Sequence, residues 1–247
     1  MYRYYLEVSY DGTAFAGSQV QVRQRTVQGA VNEALSTILR GTVETFGASR
    51  TDMGVHALCN VYHFDVPVLL DEQKLLYKLN AVTARSLRFN ALYRVPGNAN
   101  ARFDALSRTY RYRIYFRKDP FKYGRALFYP FKLDRDTLHD TAAVLSDYTD
   151  FTSFSKKNSQ TFTNNCQIMR SCWESREDEL HYVVEANRFL RGMVRALVGT
   201  QLKIARAGLA AADFRAIIEA KDCSKADFSV TGNGLYLEKI TYPPYTL

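Results

Sequence analysis

Residues 109–116 read TYRYRIYF, and residues 2–6 read YRYYL. Both stretches alternate aromatic or apolar side chains with polar ones, a period that is typical of a β-strand with two different faces. The Tyr-Arg-Tyr tripeptide opens each stretch, and each copy begins a comparable series of strands and helices. This repeat predicts a chain built from two related halves.

Helical periodicity is clearest from residue 27 to residue 39, where Thr26 is placed to cap the N-terminus and Gly41 to close the helix. Further helices are predicted over residues 71–79, 136–145, 187–205 and 209–220. Strands are predicted over residues 2–10, 43–46, 61–66, 87–95, 109–116, 166–173, 180–186 and 235–242. Strands and helices mix without regular βαβ alternation, which favours an α+β fold with a largely antiparallel sheet. The polar stretch 153–165 is expected to be a mobile surface loop.

The charge balance favours a polyanionic partner. The 247 residues include 33 Lys plus Arg and 25 Asp plus Glu, a net charge of +8. Nucleic acid fits this excess, although many basic proteins bind no polyanion specifically. No apolar stretch reaches the roughly 18 residues of a membrane helix, and the N-terminus lacks the apolar core of a signal peptide. Four cysteines without paired spacing fit reduced thiols in the cytoplasm, and the histidine spacing suggests no metal site.

Residues 47–57, GASRTDMGVHA, lie between two predicted strands and place Asp52 in a loop. An ionised aspartate in such a position can attack an electrophilic carbon or move a proton. The alternative is a turn residue that forms a surface ion pair with Arg50. Local spacing alone favours the turn.

Two arginine-rich stretches also suit RNA. In residues 101–112, ARFDALSRTYRY, arginines would meet phosphates while aromatic rings stack on unpaired bases. The alternative is a strand with an aromatic core face and a solvated basic face, and most strands of this pattern are of that kind. In residues 189–200, FLRGMVRALVGT, Arg191 and Arg195 would share one helical face. Gly192 and Gly199 in one helix imply close packing or a close ligand.

Together these motifs resemble the tRNA pseudouridine synthase A family. The resemblance rests on segments in family order: 10–13 (YDGT), 50–57 (RTDMGVHA), 101–103 (ARF), 150–154 (DFTSF), 189–195 (FLRGMVR) and 234–237 (GLYL). The chain departs from the family pattern at Ser18, Ser49, Met53, Asn100 and residues 229–232.

The resemblance implies two similar ferredoxin- or RRM-like α/β halves that share an extended, mainly antiparallel sheet and act as one catalytic unit. Residues 1–107 would carry the aspartate loop and residues 108–247 the second half. It also implies a homodimer that isomerises uridine to pseudouridine at positions 38, 39 and 40 of the tRNA anticodon stem-loop. No cofactor or metal is expected.

The same resemblance assigns roles to individual residues. Asp52 is the expected nucleophile or base, and attack on the base, attack on the sugar and removal of a sugar proton all stay open. Arg195 would pair with the aspartate, and Tyr110 would stack on the uracil. The remaining expected RNA-binding residues are Arg50, which would fill the space of the flipped base or grip its phosphate, and Arg102, Arg108, His56 and Leu235. His56 is expected to shape the loop rather than transfer protons, and Leu235 either floors the pocket or packs in the core. Rival hypotheses are an RNA-binding protein without catalysis and an aspartate-dependent hydrolase.

Overall fold

The structure, a computed structural model, describes residues 1–157 and 162–245. The strands are β1 (Tyr2–Tyr10), β2 (Phe46–Gly47), β3 (His56–Val66), β4 (Leu87–Val95), β5 (Ser107–Tyr115), β6 (Leu127–Phe128), β7 (Ile168–Arg176), β8 (Glu179–Ala186) and β9 (Leu235–Thr241). The helices are α1 (Val27–Leu39), α2 (Glu72–Val82), α3 (Arg135–Val144), α4 (Met193–Ala207) and α5 (Ala211–Glu219). The α+β fold class is confirmed.

The chain divides into two compact units, Met1–Leu106 with the segment from Tyr236 onward, and Ser107–Leu235. The division expected from sequence placed the last strand with the second half. The contacts group it with the first unit because Tyr236 and Leu237 of β9 pair with His56 and Ala57 of β3.

The first unit is built around β1, which pairs antiparallel with β3 on one side and with β4 on the other. β2 pairs antiparallel with β3, and β9 runs parallel to the start of β3. The alternation of β1 places Tyr4, Leu6 and Val8 in a fully buried core. Helix α1 contacts α2, and α2 contacts β4. The Asp52 loop leaves this sheet between β2 and β3.

The second unit has β5 and β8 at its centre, paired antiparallel, with β7 antiparallel to β8 and β6 parallel to β5. Helix α3 contacts β7, α4 and α5. Buried Trp173 of β7 donates its indole N–H to Oε1 of Gln201 in α4 over 2.9 Å, so this buried donor has a partner.

Several predicted elements agree with the structure, and α1 spans the predicted residues 27–39. Thr26 accepts a hydrogen bond from the backbone N–H of Gly29, as expected for an N-cap. The left-handed C-cap is Arg40, with φ of 56°, so the expectation for Gly41 is wrong.

Three other predicted boundaries are wrong. The strand expected over residues 43–46 is only Phe46–Gly47, and the following strand begins at His56 rather than at Val61. The helix expected from residue 187 begins at Met193, because Gly192 adopts a left-handed φ of 76° that breaks the helical path.

Part of the loop expected to be mobile, residues 158–161, lies outside the described residues. Of its flanks, Thr152–Phe154 forms one 3₁₀ turn and Asn165 forms an isolated bridge with Asp150. Among the described residues, no helix is long and apolar enough to cross a membrane.

Candidate active site

Asp52 lies in the loop between β2 and β3 of the first unit, with a half-buried side chain. Gly54 follows with a left-handed φ of 80°, and the N–H of Val55 donates to the carbonyl of Asp52 over 3.2 Å. A tight turn therefore starts directly at the aspartate. Met53, at the tip of this turn, is 72% exposed.

The residues before Asp52 are fixed by hydrogen bonds. Buried Ser18 accepts from the N–H of Thr51 through Oγ over 2.8 Å, and its own N–H donates to the carbonyl of Thr51 over 3.0 Å. The hydroxyls of Thr51 and Tyr10 are 2.9 Å apart. Asn60 of β3 donates to the carbonyl of Ser49 over 3.1 Å and to the Tyr10 hydroxyl over 3.3 Å. Three separate segments thus hold the backbone that carries the carboxylate.

His56 holds the other end of the loop. Its ring is 4% exposed and stacks on Tyr236, with centroids 4.5 Å apart and planes at 15°. Its Nδ1 lies 3.2 Å from the N–H of Gly12 and 3.3 Å from Oδ1 of Asp11. An unprotonated Nδ1 accepts from Gly12 and a protonated one donates to Asp11, so either form holds the ring in place. This geometry supports a loop-shaping role.

Two of the arginines expected to bind RNA are exposed on the first unit. The side chain of Arg50, two residues before the aspartate, is exposed to solvent. Arg102 is exposed with its guanidinium carbon 5.4 Å from the ring centroid of Phe103, and that ring is 76% exposed. A cation beside an open aromatic face can contact phosphate and base together.

Tyr110 lies in β5 of the second unit, where it is 8% exposed and meets the ring of Phe189 edge-on at 5.1 Å. Arg108, two residues earlier, is also buried, and its Nη1 donates to the carbonyl of Asn187 over 2.7 Å. This bond joins β5 to the segment after β8. Arg108 therefore has a structural role in addition to the RNA contact expected for it.

The other arginines of the Tyr-Arg alternation are paired inside the protein. Arg111 lies 3.1 Å from Glu174, and Arg113 makes two bonds of 2.9 Å to Glu179. Burial alone would raise the pKa of Glu179, but Arg113, His181 and Lys122 together lower that pKa to about 2. These contacts favour the structural interpretation of the strand, with its arginines bound to carboxylates rather than fully solvated.

Arg195 lies in the first turn of α4 and is held by the segment 227–231. Its Nε donates to the carbonyl of Val230 over 2.8 Å, and Nη2 lies 3.4 Å from the carbonyl of Phe228. The same segment is anchored by the hydroxyl of Tyr112, which donates to the carbonyl of Thr231 over 2.8 Å. The guanidinium is thereby oriented by backbone acceptors.

Close packing accounts for Gly199. A Cβ there would overlap the carbonyl of Asp227, whose N–H bonds to the hydroxyl of Thr200 over 2.9 Å.

Arg191 precedes α4 and is exposed, so the expectation that Arg191 and Arg195 share a helical face is wrong. Leu235, at the start of β9, is 6% exposed and packs as a core residue does.

The structure thus groups Asp52, Arg50, His56 and Arg102 in the first unit and Tyr110, Arg108, Arg195 and Leu235 in the second. Sequence reasoning missed Ser18, Tyr10 and Asn60 as supports of the Asp52 loop. Ser18 was marked only as a departure from the family pattern. In residues 1–157 and 162–245, no three His, Cys, Asp or Glu side chains cluster as metal ligands would.

Comparison with known proteins supports one family. A family model described as tRNA pseudouridine synthase matches residues 148–243. A relative from Parabacteroides distasonis is 42% identical over 98% of this chain and 97% of its own length. Relatives from Bacteroides fragilis and Anoxybacillus flavithermus are 43% and 33% identical, over 98% and 95% of this chain and 96% of their own lengths. All three relatives are named tRNA pseudouridine synthase A.

Proposed function

This chain belongs to the tRNA pseudouridine synthase A family, and we propose from this premise that it converts uridine to pseudouridine in the anticodon stem-loop of tRNA, at positions 38, 39 and 40. The family makes the protein an isomerase. In the reaction the N1–C1′ bond breaks, the uracil turns, and C1′ joins C5. The proton lost from C5 is balanced by the proton gained at N1, so no external oxidant or reductant is needed.

The observation that carries the proposal is the fixed loop around Asp52 in a chain that matches its relatives over nearly its whole length. A carboxylate has to meet the reacting nucleotide in one geometry, since small misplacements of a catalytic group are costly. Ser18, Tyr10 and Asn60 supply that fixation.

Asp52 acts as nucleophile or base in this proposal. The uridine has to leave its stack to reach the carboxylate, which costs a few kcal/mol. Tyr110 stacks on the flipped uracil, and Leu235 lies beneath it. Arg195 pairs with the carboxylate in this proposal, as the family resemblance implies.

The remaining arginines bind the RNA backbone in this proposal. Arg50 occupies the space of the flipped nucleotide or holds its phosphate, while Arg102 and Arg108 contact the flanking RNA. His56 keeps the loop in shape through Gly12, Asp11 and Tyr236. The net charge of +8 supports binding to a polyanion.

The proposal includes a homodimer, which rests on the family resemblance. It also places the enzyme in the cytoplasm. The four cysteines, Cys59, Cys166, Cys172 and Cys223, are all free thiols, as a reducing compartment favours.

The test is to incubate the protein with an unmodified tRNA transcript and map pseudouridine by carbodiimide labelling and primer extension. We expect product at positions 38, 39 or 40 and none when those uridines are replaced by cytidine. Product only at other positions would refute the anticodon assignment. Binding without product on any tRNA would favour an RNA-binding protein without catalysis.

A further inference from the structure

The connection between β5 and β6, residues 116–126, presents two large rings to solvent. Phe121 is 90% exposed and Tyr123 is 84% exposed. Neither ring gains the stabilisation that burial would give it, and the two lie on one short loop. Exposed aromatic clusters on a protein surface commonly mark a binding site.

This β5–β6 loop is ordered by its own contacts. Asp119 accepts from the N–H of Phe121 over 2.8 Å, and the carbonyl of Lys122 accepts from the N–H groups of Arg125 and Ala126 over 3.0 and 3.1 Å. The ammonium of Lys122 lies 2.5 Å from Asp178 and 3.3 Å from Glu179, which anchors the loop to the turn between β7 and β8. A loop that is fixed before binding loses little conformational entropy on binding.

The loop sequence around the rings is mainly basic, and the exposed Asp178 lies beside its Lys122. Arg117, Lys118, Arg125 and Lys132 are exposed between Phe116 and the start of α3. Asp119 is the sole acidic residue of the sequence from 116 to 132, and it is half-buried and accepts from Phe121. Four exposed cations therefore lie on residues 116–132, and they favour a polyanion as the partner.

We propose that the β5–β6 loop is an RNA-docking surface, on which Phe121 and Tyr123 stack on unpaired bases of the tRNA while Arg117, Lys118 and Arg125 contact neighbouring phosphates. Exposed rings interleaved with cations are the combination that binds unpaired nucleotides. The bases bound here are distinct from the uridine that is converted. The proposal rests on tRNA being the substrate, and it adds a second contact to the one at Asp52.

A second copy of this chain fits the surface less well. A two-fold contact places the same patch of both subunits in one interface, which would bring the exposed cations of both loops together. Like charges brought together in an interface disfavour it. RNA neutralises the same cations.

The experiment compares the wild type with Phe121→Ala/Tyr123→Ala, with Phe121→Trp/Tyr123→Trp, and with Tyr77→Ala. Tyr77 of α2 is 78% exposed and serves as the control for loss of an exposed ring. Affinity is measured by fluorescence anisotropy with labelled unmodified tRNA at fixed salt. Turnover is measured at saturating tRNA, mass by sedimentation, and folding by thermal melting.

We expect the double alanine variant to bind tRNA at least about 30-fold more weakly, since both stacked bases lose their rings. Turnover at saturation, mass and melting temperature should stay within error of the wild type. The tryptophan variant should retain affinity because it keeps the stacking faces, and Tyr77→Ala should match the wild type.

Unchanged tRNA affinity in the double alanine variant would overturn the docking surface. A fall in sedimentation mass with unchanged tRNA affinity would overturn it too, and would assign the rings to contact between copies of the chain. If the wild type forms pseudouridine and the variant binds normally, the docking surface fails and the proposed function stands. If the variant loses affinity and the wild type forms no pseudouridine, the function fails and the surface stands.

Discussion

Replacing Ser18 with alanine tests whether the Asp52 loop depends on a single hydroxyl. Ser18 is 2% exposed, and its Oγ accepts from the N–H of Thr51 over 2.8 Å. Alanine removes that acceptor, so the N–H of Thr51 loses its hydrogen bond to Oγ. The backbone hydrogen bond from the N–H of residue 18 to the carbonyl of Thr51 is retained. The change removes one oxygen atom, which contacts the residue directly before the aspartate.

The magnitude follows from the cost of a buried, unsatisfied donor, about 1–3 kcal/mol. If the loop alone bears this cost, the population with Asp52 in position falls and turnover falls by about 5- to 150-fold. If the whole fold bears it, the melting temperature falls by roughly 2–4 °C for each kcal/mol. Either outcome shows that the hydroxyl holds the loop.

The assays are release of tritium from C5 of labelled uridine in tRNA and thermal denaturation. Ser146→Ala is the matched control, because this exposed hydroxyl donates to the carbonyl of Ala143 and its loss should cost less than about 0.5 kcal/mol. If Ser18→Ala matches the control in both turnover and melting temperature, the reasoning about the loop is refuted.

Three further predictions concern the second unit. Arg195→Lys should lower turnover at least about tenfold with little change in tRNA affinity, because an ammonium cannot reproduce the planar contacts to Val230 and Phe228. A large loss of affinity with normal turnover would contradict the role proposed for Arg195 in turnover. Gly199→Ala should lower the free energy of unfolding by about 1–3 kcal/mol in chemical denaturation, because the added Cβ overlaps the carbonyl of Asp227. Gly41→Ala is the control and should not destabilise the fold, since a Cβ there meets no atom within 4 Å. Equal stability of the two variants would be inconsistent with the packing described. Glu179 has a pKa of about 2 in the folded protein against 4.5 ordinarily, so its ion pairs stabilise the fold above about pH 4.5 and this contribution, on the order of 2–3 kcal/mol, is lost as the pH falls toward 2. Glu179→Gln should flatten that acid dependence, and an unchanged slope between pH 2 and 5 would count against the pairing.

Local patterns predicted much of the fold. The apolar spacing of residues 27–39 and the hydroxyl of Thr26 define α1 without help from distant residues. Strands β1 and β4 also match, because alternation along a half-buried strand is visible in sequence. The start of α4 was missed because apolar residues continue through residues 189–190, while the break depends on the φ of Gly192.

The supports of the candidate site could not be predicted in the same way. Ser18 and Thr51 are 33 residues apart, and Arg108 reaches the carbonyl of Asn187 across 79 residues. The spacing of apolar residues in the sequence does not predict such contacts, because the partners meet only when the chain folds. The sequence could name Asp52 and Arg195, but the groups that orient them are visible only in three dimensions.

Single-turnover release of the C5 hydrogen from uridine-labelled tRNA tests whether Asp52 carries out the chemistry. We expect release by the wild type and none above background by Asp52→Asn, with tRNA affinity within a few-fold of the wild type, since the amide keeps the shape of the loop and removes the charge. Release by Asp52→Asn at the wild-type rate would show that the carboxylate of Asp52 is not the catalytic group.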